Sequence, residues 1–131
     1  MKRAALIGAS FPLVSTLLAR GGELDAVRLL GPRTVALMTM NQLPKGVEPA
    51  WWGGKNGGNG YGFTMSVTAD VAASTGYGSP GDFGWDGAAS TFFRVDPKER
   101  LVVLVMTQRM PTDLEVQVKA KTLAYQAITD K

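Results

Sequence analysis

Trp85, Asp86 and Gly87 stand in succession inside GDFGWDGAASTFFRVDPKERLVVLVMTQ, the stretch from Gly81 to Gln108. An indole beside a glycine can build one wall of a binding site. The ring offers an apolar or stacking surface, and the missing Cβ lets backbone approach a bound group closely. The same residues can also pack a sheet edge and mark a bulge. Around them the chemical repertoire is narrow. The chain has no histidine and no cysteine, which excludes a Ser-His-Asp triad, histidine acid–base work, thiolate nucleophiles, disulfides and zinc sites built on His or Cys. Neither a cofactor nor a metal is implied.

Those residues must be carried by one domain. The chain has 131 residues, 45% of them hydrophobic and 19% charged, which suits a single globular core. Fourteen Lys and Arg against eleven Asp and Glu give a net charge of +3. The basic residues are scattered from Lys2 to Lys131, as on a solvated surface, and form no nucleic-acid patch. Residues 1–20 form an apolar N-terminal segment, read as a helix or the remnant of one, and residues 21–131 the main domain. The run from Ala4 to Ala19 is too short to span a membrane and contains Pro12. Its basic start also matches a signal peptide, although LLARGG is a poor cleavage site.

Beyond it, GPRTVALMTMNQLP places Pro32 at a helix start and predicts a short helix ending before Pro44. KGVEPAWWGGKNGGNG reads as a flexible loop. No Gly-Lys-Ser/Thr follows its glycines, so it is not a phosphate cradle. Apolar residues alternate at Tyr61, Phe63, Met65 and Val67, which predicts one half-buried strand. Two further strands, Ser90 to Val95 and Leu101 to Thr107, join through an Asp-Pro turn with Asp96, Pro97, Lys98 and Glu99 at its tip. Leu101 to Met106 is apolar throughout and so demands cover on both faces. A closing helix is expected with Thr112 and Glu115 in capping-box spacing and Val116, Ala120, Leu123 and Ala127 on its apolar face. The fold class is α+β, an antiparallel meander flanked by helices.

The blocks GGELDAVRLLGPRTVALMTMNQLP, GYGF and GSPGDFGWDGAASTFFRVDPKERLVVLVMTQ, followed by the closing helix, resemble in order the C-terminal part of the β-lactamase-related serine hydrolases. That superfamily includes class C β-lactamases, DD-peptidases and family VIII carboxylesterases. The resemblance runs from Gly21 onward and implies the β-lactamase/penicillin-binding-protein-like fold. The family's chemistry rests on Ser-x-x-Lys, a tyrosine motif ending in Asn, and a third motif on a strand lining the site, often Trp-x-Gly in the esterase branch. Trp85, Asp86 and Gly87 match that third motif. By family position the Ala88 N–H is then the oxyanion-hole donor, and Trp85 a substrate wall. Asp86 departs from the small or hydroxyl residue usual there, which disfavours anionic β-lactam-like substrates and points to the esterase branch.

The other two motifs are absent. None of Ser10, Ser15, Ser66, Ser74, Ser79 and Ser90 has Lys three residues on, and none of Tyr61, Tyr77 and Tyr125 has Asn two residues on. No catalytic residue is therefore assigned. Two readings stand: a truncated serine hydrolase, inactive alone, whose intact relatives take small-molecule esters or amides; or a noncatalytic binding module derived from that fold. In either case apolar surface is expected to remain exposed, which favours self-association or a complementary N-terminal half. No nucleic acid and no membrane span are expected.

Overall fold

A computed structural model of the chain describes residues 18–47, 49–51, 54–55, 57–74 and 76–129. The expectations for residues 1–17, helix or signal peptide, lie outside these. Two short antiparallel hairpins precede the main sheet: β1 (Glu23–Leu24) with β2 (Val27–Arg28), and β3 (Ala50–Trp51) with β4 (Gly54–Lys55). The second falls within the glycine-rich stretch expected to be only a loop. Between the hairpins, α1 (Pro32–Thr39) starts with Pro at its first turn and buries Val35. This fits the expected short helix, because the missing proline N–H costs nothing where no intrahelical acceptor exists.

The main sheet has five antiparallel strands in the order of the chain: β5 (Asn59–Tyr61), β6 (Ser66–Thr68), β7 (Phe83–Asp86), β8 (Phe92–Asp96) and β9 (Leu101–Val105). It is a meander, as expected, but with more strands. The single strand expected from Tyr61 to Val67 is instead a hairpin. Tyr61 pairs with Ser66, and the Gly62 N–H donates to Met65 O at 2.9 Å. Thr64 lies at φ 66°, which breaks the extended backbone. The apolar alternation therefore does not define one face: Tyr61 shares a side with Ser66 and Val67 with Gly60, and Phe63 is exposed in the turn. Gly62 is tightly seated, for an added Cβ would lie 2.4 Å from the Met38 carbonyl oxygen.

Alternation along the strands gives the sheet two different faces. One carries Met65, Val67, Phe83, Trp85, Phe93, Val95 and Leu104, and packs with Leu18, Leu30 and Val35 into the hydrophobic core. The opposite face carries Thr68, Asp82, Arg94, Asp96 and Val103 and lies under α2 (Leu114–Gln126), which packs on β9. The expected apolar face of this helix is corrected. Leu123 is 66% exposed, whereas Gln117 is buried and Lys121 and Tyr125 reach the sheet. Positions 117, 121 and 125 share one side of a helix by their i, i+4 spacing, and the partners of Lys121 and Tyr125 are charged. The cap is also corrected. Asp113, not Thr112, is the N-cap, and its Oδ1 accepts from the Glu115 N–H at 2.9 Å.

β9 does not find cover on both faces. Val103 is buried under α2, but Val102 is 41% and Met106 55% exposed on the other side. The hydrophobic core reaches no further than Leu104, so one row of an entirely apolar strand meets solvent.

Candidate functional site

Trp85 projects from the core face at the end of β7 and Asp86 from the opposite one, with Gly87 following the strand. Trp85 pairs across the sheet with Phe93, packs in part against the core, and tilts against Tyr61 with ring centroids 5.7 Å apart. It is thus only half available as a wall. Asp86 keeps an exposed surface, yet burial of its carboxyl pushes its pKa up, while the charges of Arg94 and Lys121 draw it down. The three successive residues therefore do not form one continuous surface, because strand geometry sends neighbours to opposite sides.

Beyond β7 the chain turns sharply. The Gly87 N–H donates to Thr91 O at 2.7 Å and the Ser90 N–H to Gly87 O at 3.0 Å. Ser90 stands at φ 61° and is fully buried. Three hydroxyls then tie this turn to the segment between β9 and α2. Thr112 Oγ1 donates to Ala88 O at 3.0 Å, Thr107 Oγ1 to Ala89 O at 2.7 Å, and Ser90 Oγ to Arg109 O at 2.8 Å. Ser90 Oγ also accepts from the Asp113 N–H at 2.8 Å. Arg109 closes the same region, its N–H donating to Ala89 O and its guanidinium pairing with Asp113 at 3.0 Å. Among the described residues the Ala88 N–H makes no backbone hydrogen bond, and Ala88 is exposed. A donor held on a pinned turn and left open to solvent is suited to an incoming anionic oxygen.

A second group of polar side chains lies beneath α2, where sequence reading placed only an apolar helix face. Asp82 is bonded by Thr68 Oγ1 and lies 3.3 Å from Lys121 Nζ. Burial pushes the Lys121 ammonium below its ordinary value, as does the charge of Arg94; Asp82 and Asp96 partly restore it. Asp96 was expected at a hairpin tip. It closes β8 instead and is 1% exposed. Its Oδ1 accepts from the Lys98 and Glu99 N–H groups at 2.9 and 3.1 Å, which makes the turn, and its Oδ2 accepts from the Tyr125 hydroxyl at 2.6 Å. Burial would raise its carboxyl, but these bonds, with one from Ser79, hold it below the usual range. The Tyr125 phenol moves up, through burial and its carboxylate partner. The only advance signal was the i, i+4 spacing of Gln117, Lys121 and Tyr125, and nothing local shows which carboxylates it will meet. Among the described residues no group of His, Cys, Asp and Glu is arranged to hold a metal, and no helix is long and apolar enough to cross a membrane.

The α+β arrangement, with helices on both faces of an antiparallel meander, is that of the β-lactamase-like fold. The Beta-lactamase family model matches residues 12–127, and the chain belongs to that family. Two curated relatives from Mycobacterium tuberculosis, Uncharacterized protein MT1414 of strain CDC 1551 / Oshkosh and Protein Rv1367c of strain ATCC 25618 / H37Rv, are each 35% identical over 109 residues. The match covers 76% of this chain and 26% of each relative, so the chain spans about a quarter of their length. Among solved structures, unliganded simvastatin synthase (LovD) from Aspergillus terreus superposes with a TM-score of 0.65 at 21% identity, over 87% of this chain and 33% of that one. Its selenomethionyl form gives the same TM-score at 17% identity. The fold is shared.

Proposed function

We propose that this chain carries the third-motif wall of a serine hydrolase of the esterase type and, lacking the Ser-x-x-Lys nucleophile, is inactive alone. Trp85 supplies apolar surface and the Ala88 N–H is the oxyanion-hole donor, while the missing Cβ of Gly87 makes room for the Thr91 side chain within the turn. The observation that carries this reading is the open Ala88 N–H on a turn fixed by Ser90, Thr107 and Thr112. A tetrahedral intermediate gains from a donor that need not reorganise as charge develops on its oxygen. The chain supplies no activated serine. An oxyanion donor without a nucleophile opens no covalent route, so turnover of a small-molecule ester or amide needs a complementary N-terminal half.

The purified chain is to be incubated with a chromogenic short-chain ester, a chromogenic cephalosporin and a fluorophosphonate probe. No turnover and no labelling are expected. Stoichiometric labelling of a serine would overturn the reading. The upstream nucleotide sequence, read in all frames, supplies the complementary observation. A Ser-x-x-Lys frame there supports a divided hydrolase, and an unrelated domain there a binding module.

A further inference from the structure

The two edges of the five-stranded sheet are finished differently. At the β5 edge the outward backbone groups of Tyr61 are taken. Its N–H donates to Asn41 Oδ1 at 3.0 Å, and its carbonyl accepts from the Gln42 N–H at 2.8 Å. At the β9 edge the phase of the ladder can be followed from the Gly87 N–H bond to Thr91 O. That bond, with the register of β7, β8 and β9, sets residues 101, 103 and 105 to bond β8 and turns the N–H and C=O of Val102 and Leu104 outward. Among the described residues no hydrogen bond meets these outward groups. Free edges in native sheets are ordinarily blunted by Lys, Pro, a bulge or a covering segment. Leu-Val-Val-Leu-Val contains no such residue.

We propose that β9 is a self-association edge, pairing antiparallel with β9 of a second copy of this chain across a two-fold axis at Leu104. An axis perpendicular to the sheet keeps core-face residues opposite core-face residues, so paired positions must have an even sum. Placing the axis at Leu104 sets Leu104 against its own mate and Val102 against Met106 of the other copy, twice. Val102 and Met106 are the side chains of this row that a single copy leaves exposed, at 41% and 55%. The same register gives the outward groups of Val102 and Leu104 their missing partners. One edge thereby answers both its unpaired backbone and its uncovered side chains. The paired strands alone bury less than the roughly 1,600 Å² of a standard interface, so the association is weak and depends on concentration. This inference does not rest on the oxyanion assignment.

The absence of cysteine allows a clean test. Leu104→Cys places two thiols across an antiparallel pair whose Cα atoms are about 5.5 Å apart, within the span of a disulfide. It should yield a covalent dimer under mild oxidation. Val102→Cys and Met106→Cys should cross-link efficiently only when mixed, and Leu123→Cys, on the outer side of α2, should not cross-link. In sedimentation velocity the wild-type chain and Leu123→Lys should move from monomer toward dimer as concentration rises. Met106→Lys, at the 55% exposed position set against Val102 of the other copy, should stay monomeric with an unchanged circular dichroism spectrum. The amides of Val102 and Leu104 should gain hydrogen-exchange protection with concentration. A wild-type chain that stays monomeric at every concentration, with those amides already protected, would show that its own chain occupies the edge and would overturn the proposal. Equal cross-linking at Leu123 and Leu104 would do the same.

Discussion

Replacing Lys121 with Met keeps most of the apolar stem and removes Nζ, which stands 3.3 Å from Asp82 Oδ2 with the two side chains 12% and 0% exposed. Among the described residues Asp82 then keeps the Thr68 hydroxyl. Leaving a buried charge without its partner costs about 3–5 kcal/mol, so Lys121→Met should lose about that much, a large part of the 5–15 kcal/mol typical of a domain. A double variant separates this from a packing defect. Adding Asp82→Asn removes the orphaned charge and should recover at least half of the loss. Urea unfolding followed by far-ultraviolet circular dichroism measures all three proteins. A loss below about 1 kcal/mol, or no recovery in the double variant, would refute a buried, coupled pair.

Tyr125→Phe removes the 2.6 Å bond to Asp96 Oδ2 and should cost about 1–3 kcal/mol. The lowered carboxyl of Asp96 contributes stability that is present above its unfolded pKa and lost as pH falls. Without the phenol the carboxyl moves up, and the acid-unfolding midpoint should shift to higher pH in a circular dichroism titration. Ser90→Ala removes both the bond to Arg109 O and the acceptor for the Asp113 N–H. It should cost about 1–3 kcal/mol, and hydrogen exchange at the amides of Ser90 and Asp113 should accelerate while the β8–β9 ladder stays protected.

The sequence by itself determined the parts whose causes are local. Pro32 starts α1 because a first-turn residue needs no N–H. Asp96 and Pro97 turn the β8–β9 hairpin because the carboxylate of Asp96 can accept from N–H groups two and three residues on. The ordered blocks from Gly21 to the closing helix were enough to indicate the family, and the Beta-lactamase match bears that out. Tertiary structure decided whatever depends on which distant residues meet. Alternation at Tyr61 to Val67 points to one strand, and only the Gly62 N–H bond to Met65 O and the pairing of Tyr61 with Ser66 show the segment folded into a hairpin. Helix periodicity shows that 117, 121 and 125 share one side, as do 116, 120, 123 and 127. Only the buried carboxylates of Asp82 and Asp96 on the facing sheet draw the polar set inward, because a buried charge must find its opposite before apolar area can decide the packing. The Trp85–Ala88 motif is legible in one dimension. The hydroxyls of Ser90, Thr107 and Thr112, which hold its turn, are joined to it only when β9 and α2 close against the sheet.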